Sequence, residues 1–144
     1  MLISQTIERL NDFYPLSPVQ QDELAHSTWF VPVDSSLPLT LYWEEESGIC
    51  CVNALGRLAP ETDPRVPLQL MTLNIMMAAY NGPRFSYSRT SDMFTLMDFI
   101  TMDIITEGNI YAIRDQIDAL IEKSQQVRLY MENEGIKLTE NQDK

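Results

Sequence analysis

The 144-residue chain is poor in the residues that usually carry chemistry. It has one histidine, His26, in a polar stretch where a lone imidazole is more often surface decoration than a base or ligand. Its two cysteines, Cys50 and Cys51, are adjacent. Neighbouring residues of a strand point to opposite faces, which argues against a disulfide between them, and no CxxC spacing exists for zinc or redox work. Two buried free thiols in a reducing compartment are expected. The five glycines are scattered and form no phosphate-cradling loop. The HExxH, GxSxG and P-loop signatures are all missing. Catalysis has no visible carrier, and no cofactor or metal is expected.

Positive charge is scarce as well. Ten Lys and Arg face 21 Asp and Glu, for a net charge of −11 and a pI near 4.3. Such a chain repels phosphate backbones and anionic membrane surfaces, so neither nucleic acid nor a membrane is expected as partner. The acidity fits two readings: solubility of a sticky protein, or attraction for a basic or amphipathic protein. A long apolar run is also lacking. The most apolar stretch, Val66 to Tyr80, is interrupted by Pro67, Gln69, Thr72 and Asn74 and is too short to span a bilayer. The first residues, MLISQTIERLNDFY, lack the charged and apolar regions of a secretory signal, so the protein is expected to stay in the cytoplasm.

What is present suffices for one globular domain: 44% apolar residues in a chain long enough to bury a sizeable core. Residues 1–136 read as that domain, and 137–144 as a polar, flexible tail. Ile3, Ile7, Leu10 and Tyr14 recur at helical spacing, and Pro15 and Pro18 end that helix. Residues 15–27 are polar and turn-like. Extended segments follow over Thr28–Val33, Leu39–Glu44 and Ile49–Leu58, with a hairpin turn at 45–48. After a proline-rich loop a helix runs from about Pro67 to Tyr80, stopped by Asn81-Gly82-Pro83. Strands are expected over Arg84–Arg89 and Met93–Met102. The last helix starts near Asn109, capped by Thr106 or Asn109. Ile110, Ile113, Ile117, Leu120, Val127 and Met131 form its apolar stripe, and Ser124 is the one polar member of that series. Gly135 and Ile136 fit a Schellman ending. The order α-β-β-β-α-β-β-α predicts an α+β fold of two layers, helices on an antiparallel sheet.

The middle helix is apolar over nearly its whole circumference: Leu68, Leu70, Met71, Leu73, Ile75, Met76, Met77, Ala78, Ala79 and Tyr80. A surface helix needs only one apolar face. One sheet and two other helices can hardly enclose the second face in so small a domain, so an isologous homodimer is expected. Eight methionines suit surfaces that accept varied partners, with core filling as the plainer reading. Glu44, Glu45 and Glu46 read as a solvated charge run at a hairpin end. Asp98 and Asp103 flank an apolar strand, either as gatekeepers against aggregation or as a weak cation site.

The segment LQLMTLNIMMAAYNGPRFSYSRTSDMFTLMDFITMD resembles the core of the class I type III secretion chaperones, the Tir-chaperone (CesT-like) family. The shared pattern is an apolar helix with an internal Asn74, a helix-ending Asn81-Gly82-Pro83, an aromatic strand with Phe85 and Tyr87, and a long apolar strand. The upstream ICCVNALGRLAPETDP and the downstream ITEGNIYAIRDQIDALIEKSQQVRLYMENEGIKL are similar to the family's third strand and final helix. The likeness covers residues 48–138. The stretch Pro15–Ser27 is longer than the family pattern.

The resemblance implies a bacterial cytoplasmic homodimer that binds the N-terminal chaperone-binding region of secreted effectors. It keeps that region extended for virulence-associated export and is linked to the secretion ATPase. It places Leu70, Leu73, Asn74, Met77 and Phe85 at the dimer interface. It places Ile3, Ile7, Leu10, Phe30, Val33, Phe94 and Leu96 in effector grooves, although the first helix could equally use its face to cover its own sheet. The alternative is a dimeric adaptor or small-molecule-binding regulator without a secretion role.

Overall fold

Period-two alternation sets the sheet. In the computed structural model, which describes residues 3–14, 17–18, 27–31, 39–44, 47–80, 82–89 and 92–139, the elements run as follows. Helix α1 is Ile3–Leu10. Strands β1 (Ser17–Pro18), β2 (Ser27–Val31), β3 (Leu39–Glu44) and β4 (Gly48–Leu58) precede helix α2 (Arg65–Ala79). Strands β5 (Arg84–Ser88) and β6 (Met93–Thr101) lead into α3 (Met102–Glu107), α4 (Ile110–Asn133) and β7 (Leu138–Thr139). The antiparallel sheet has the order β1-β2-β3-β4-β6-β5, with β7 on the end of β4. This is the α+β, antiparallel, two-layer fold read from the sequence.

Leu39 and Leu41 turn into the core while Tyr42 is exposed, and Ile49, Cys51, Asn53 and Leu55 do the same along β4. Gly48 has φ 129°, and a Cβ there would collide with the Ile100 carbonyl across the ladder. The two cysteines are free and lie on opposite faces, Cys51 buried and Cys50 half-buried. Burial pushes both thiols up, Asp98 adding to each, so neither is an activated nucleophile.

Helix α4 lays its stripe Ile110, Ile113, Ile117, Leu120, Ser124, Val127 and Met131 on that inner sheet face, beside Leu96 and Ile100 of β6. Ser124 is tolerated there because its hydroxyl donates to the Leu120 carbonyl at 2.9 Å. Asn109 is the cap, its side chain accepting from the Ala112 N–H at 3.2 Å. Thr106 instead donates to the Met102 carbonyl. The Schellman ending forms as expected: Ile136 N–H to Met131 carbonyl at 2.8 Å, Gly135 N–H to Glu132 carbonyl at 3.0 Å, with Gly135 at φ 74°.

Several boundaries differ from the sequence reading. Met102 begins α3 instead of ending β6, and Ile105 of α3 is fully buried. Helix α2 starts at Arg65, so Pro67 sits third in the helix, where its missing N–H has no intrahelical partner to lose. Ser17–Pro18, within the stretch read as turn-like, pairs with Trp29 and Phe30 of β2. Leu138–Thr139, read as tail, pairs with Arg57 and Leu58, while 140–144 lie outside the described residues.

Candidate docking surfaces

Helix α2 packs beside β5 at one end of the sheet. Its inward side presents Leu70, fully buried, with Val66, Leu73 and Met77 half-buried against the core. Its other side carries Leu68, Met71, Ile75 and Met76, at 68%, 46%, 74% and 62% exposure, and Tyr80 at the C-cap is 85% exposed. Positions 68, 71 and 75 follow helical spacing, so they share one face. Thr72 lies on it too, but its hydroxyl is turned back to the Leu68 carbonyl at 2.8 Å, which keeps the surface apolar. The protomer thus leaves a two-turn apolar face uncovered among its described residues.

The five residues singled out for a dimer interface fall on two levels. Leu70 and Phe85 are core side chains of the protomer. Leu73, Asn74 and Met77 lie half-buried where α2 meets its neighbours. Asn74 is tied to β5: its Oδ1 accepts from the Phe85 N–H at 2.6 Å, and its Nδ2 donates to the Phe85 carbonyl at 3.3 Å. Sequence reasoning missed Leu68, Met71, Ile75 and Met76 as the outermost set. A wheel of this helix is apolar on both sides and does not say which faces out. A cleft of about 250 Å³ lies between α2 and α4, walled by Leu73, Met76, Met77, Phe85, Val127 and Tyr130, with Lys123 at its rim.

Among the described residues, those assigned to effector grooves are not brought together as an open surface. Ile7 and Leu10 turn into the core, where α1 meets α4, and Leu96 is fully buried under the helices. Phe94 is half-buried, edge-on to Tyr87 with centroids 5.5 Å apart. Val33 and the side chains of Ile3 and Phe30 lie outside the described residues. What α1 and α4 do leave open is an aromatic knot. Phe13 and Tyr111 meet edge-on at 5.9 Å, and the Arg114 guanidinium sits 5.2 Å from both rings. Beneath it, Tyr14 donates its hydroxyl to Asp118. Burial and then the Asp118 carboxylate push that phenol well above its ordinary range.

Nothing in the described residues gathers three His, Cys, Asp or Glu side chains around a metal position. Asp98 accepts from Gln116 at 3.2 Å and from the Phe99 N–H at 2.8 Å, so both its oxygens are engaged in structure. Asp103 sits in the first turn of α3, where a carboxylate suits the helix dipole. His26, Glu45 and Glu46 lie outside the described residues. No described helix is long and apolar enough to cross a membrane.

No family model and no curated protein matches the sequence. The fold does have a solved counterpart. A chain in the structure of the HopA1-SchA chaperone-effector complex superposes with a TM-score of 0.63 at 17% identity, over 88% of this chain and 92% of that one. The likeness is one of fold, the two-layer α+β architecture with an antiparallel sheet that the sequence predicts.

Proposed function

We propose that the protein is a type III secretion chaperone: a bacterial cytoplasmic homodimer that holds the N-terminal chaperone-binding region of one or more effectors extended, and helps bring them to the secretion ATPase. The observation that carries this reading is the uncovered apolar face of α2 on a fold shared with a chain from a chaperone-effector complex. A helix that is apolar on both sides needs a second cover, and a second copy supplies it isologously. In the dimer, Leu68, Met71, Ile75 and Met76 meet their symmetry mates, and Leu73 and Met77 line the flanks of the contact. Leu70, Phe85 and Asn74 support the helix from below.

The effector segment runs over the surfaces built on α1 and the sheet. Half-buried Phe94 lines one such surface, the core residues Ile7, Leu10 and Leu96 only support it from within, and main-chain pairing at an open edge adds affinity. Tagged protein retrieved from its native cytosol is expected to bring down, in stoichiometric amount, a large protein held through its N-terminal region. Deleting that region from the captured protein should abolish recovery. Recovery of metabolic small molecules alone would overturn the assignment.

A further inference from the structure

We infer that Met71 and Met76 form a reversible oxidation site on α2, where a hydroperoxide converts each thioether to a sulfoxide and so keeps free protomers from pairing through this face. The inference rests on the dimer proposed above. Among the described residues, only these two methionines are exposed. Met77, Met97 and Met102 are half-buried, and Met93 and Met131 are buried. Both accessible sulfurs therefore lie on the helix whose outer side the protomer leaves bare. At about 3.6 residues per turn, Leu68, Ile75 and Ala79 run down the middle of that side, with Met71 on one flank and Met76 on the other. Met76 also walls the cleft between α2 and α4. A partner that covers this side covers both sulfurs.

A thioether is apolar and only a weak acceptor, which suits a buried contact. The reaction moves one oxygen from the peroxide to sulfur. A sulfur lone pair forms the S–O bond, the O–O bond breaks, and the second oxygen leaves with both hydrogens as water. Sulfur is oxidised by two electrons and the peroxide is reduced by two. The product carries a polar oxygen whose hydration pairing would strip away. The neighbours on this side offer it no replacement. Leu68, Ile75 and Ala79 have no side-chain donor, and the Thr72 hydroxyl already donates to the Leu68 carbonyl. One such oxygen left without a partner lowers affinity by roughly 5- to 150-fold, and two-fold symmetry repeats each one. Paired protomers shield these sulfurs, so the reaction falls on newly made or dissociated chains.

The test treats the full chain with hydrogen peroxide while it is dilute, maps the products by mass spectrometry of its peptides, and then measures mass by light scattering across a concentration series. Met71 and Met76 should be converted first, and Met93 and Met131 last. The dissociation constant should rise at least about 100-fold with circular dichroism unchanged. Methionine sulfoxide reductases acting on both sulfoxide epimers should restore the dimer. Concentrating the untreated protein beforehand should slow conversion at Met71 and Met76. A variant carrying both Met71→Leu and Met76→Leu should dimerise like the wild type and stay dimeric after the same peroxide dose. It retains Cys50 and Cys51, so its resistance separates methionine from cysteine oxidation. If that variant fails to fold, reductase rescue and protection by concentration decide on the wild type alone. A dimer that stays as tight with both sulfoxides in place would overturn the inference and leave the dimer standing. So would a folded double variant that dissociates in peroxide as the wild type does. A wild type that is monomeric at every concentration before any oxidant is added would overturn the dimer, and the inference with it.

Discussion

Replacing Ile75 by glutamate separates the surface of α2 from its core. Ile75 is 74% exposed in the protomer, so the change removes little of the protomer's own packing. Glutamate is also a slightly better helix former than isoleucine. The isolated protomer should keep its helical and sheet signals and lose no more than about 0.5 kcal/mol of stability. The proposed dimer should respond very differently. Burying an isoleucine side chain is worth about 1.5–3 kcal/mol, so the exposed three-quarters are worth about 1–2 kcal/mol per copy. Two-fold symmetry counts the loss twice, about 2–4 kcal/mol, which weakens the dimer roughly 30- to 1000-fold. Two like charges near the axis add to this. Sedimentation or light scattering at micromolar concentration should therefore show wild-type dimer and Ile75→Glu monomer, with matching circular dichroism. A variant that stays dimeric with unchanged dissociation constant would refute the placement of the interface. A wild type that is monomeric under the same conditions would refute the dimer itself.

Leu10→Ala should cost the protomer about 2–5 kcal/mol, read as a large fall in melting temperature, because Leu10 is fully buried and its loss leaves a cavity. Tyr14→Phe should cost about 0.5–1.5 kcal/mol at neutral pH from the lost bond to Asp118. The same variant tests a pH dependence. The folded phenol ionises at higher pH than the unfolded one, so Tyr14 stabilises the fold below the ordinary tyrosine range. That contribution drains away as pH rises past the ordinary range towards the folded value. Denaturant titrations in alkali should show wild-type stability falling more steeply than that of Tyr14→Phe. Under native conditions a maleimide should label Cys50 slowly and leave Cys51 untouched until the protein unfolds, as mass spectrometry of the labelled peptides would show.

The features most legible in the sequence were those where one local pattern sufficed. The stripe of α4, its Asn109 cap and its Gly135 ending are each written in a few adjacent residues, and all three formed. The alternation of Leu39 and Leu41 gave β3 its inner face for the same reason. What stayed hidden depends on partners distant in sequence. Leu138–Thr139 and Ser17–Pro18 are strands only because β4 and β2 lie beside them. The run after β6 continues with Met102, Ile104 and Ile105, so period alone does not mark where Met102 turns helical. At the candidate site, the wheel of α2 identified the helix but not its rotation. That rotation follows from where β5 runs, and the bond from Asn74 to Phe85 makes the connection. Similarly, Ile7 and Leu10 form a helical face that serves a groove or a core equally well until α4 is seen against it.

The position of α4 along the chain has a consequence for synthesis. Strands β1 to β6 leave the ribosome before residues 110–133 do. Until then Ile49, Leu96 and Ile100, which end up fully buried, have no α4 to cover them. The nascent protein thus passes through a stage in which a preformed apolar sheet waits for its lid, and aggregation competes with folding at that stage. Stalling on an appended linker that holds residue 109 just outside the exit tunnel should give chains sensitive to protease and held by general chaperones, and a longer linker that also exposes residues 110–139 should give resistant ones.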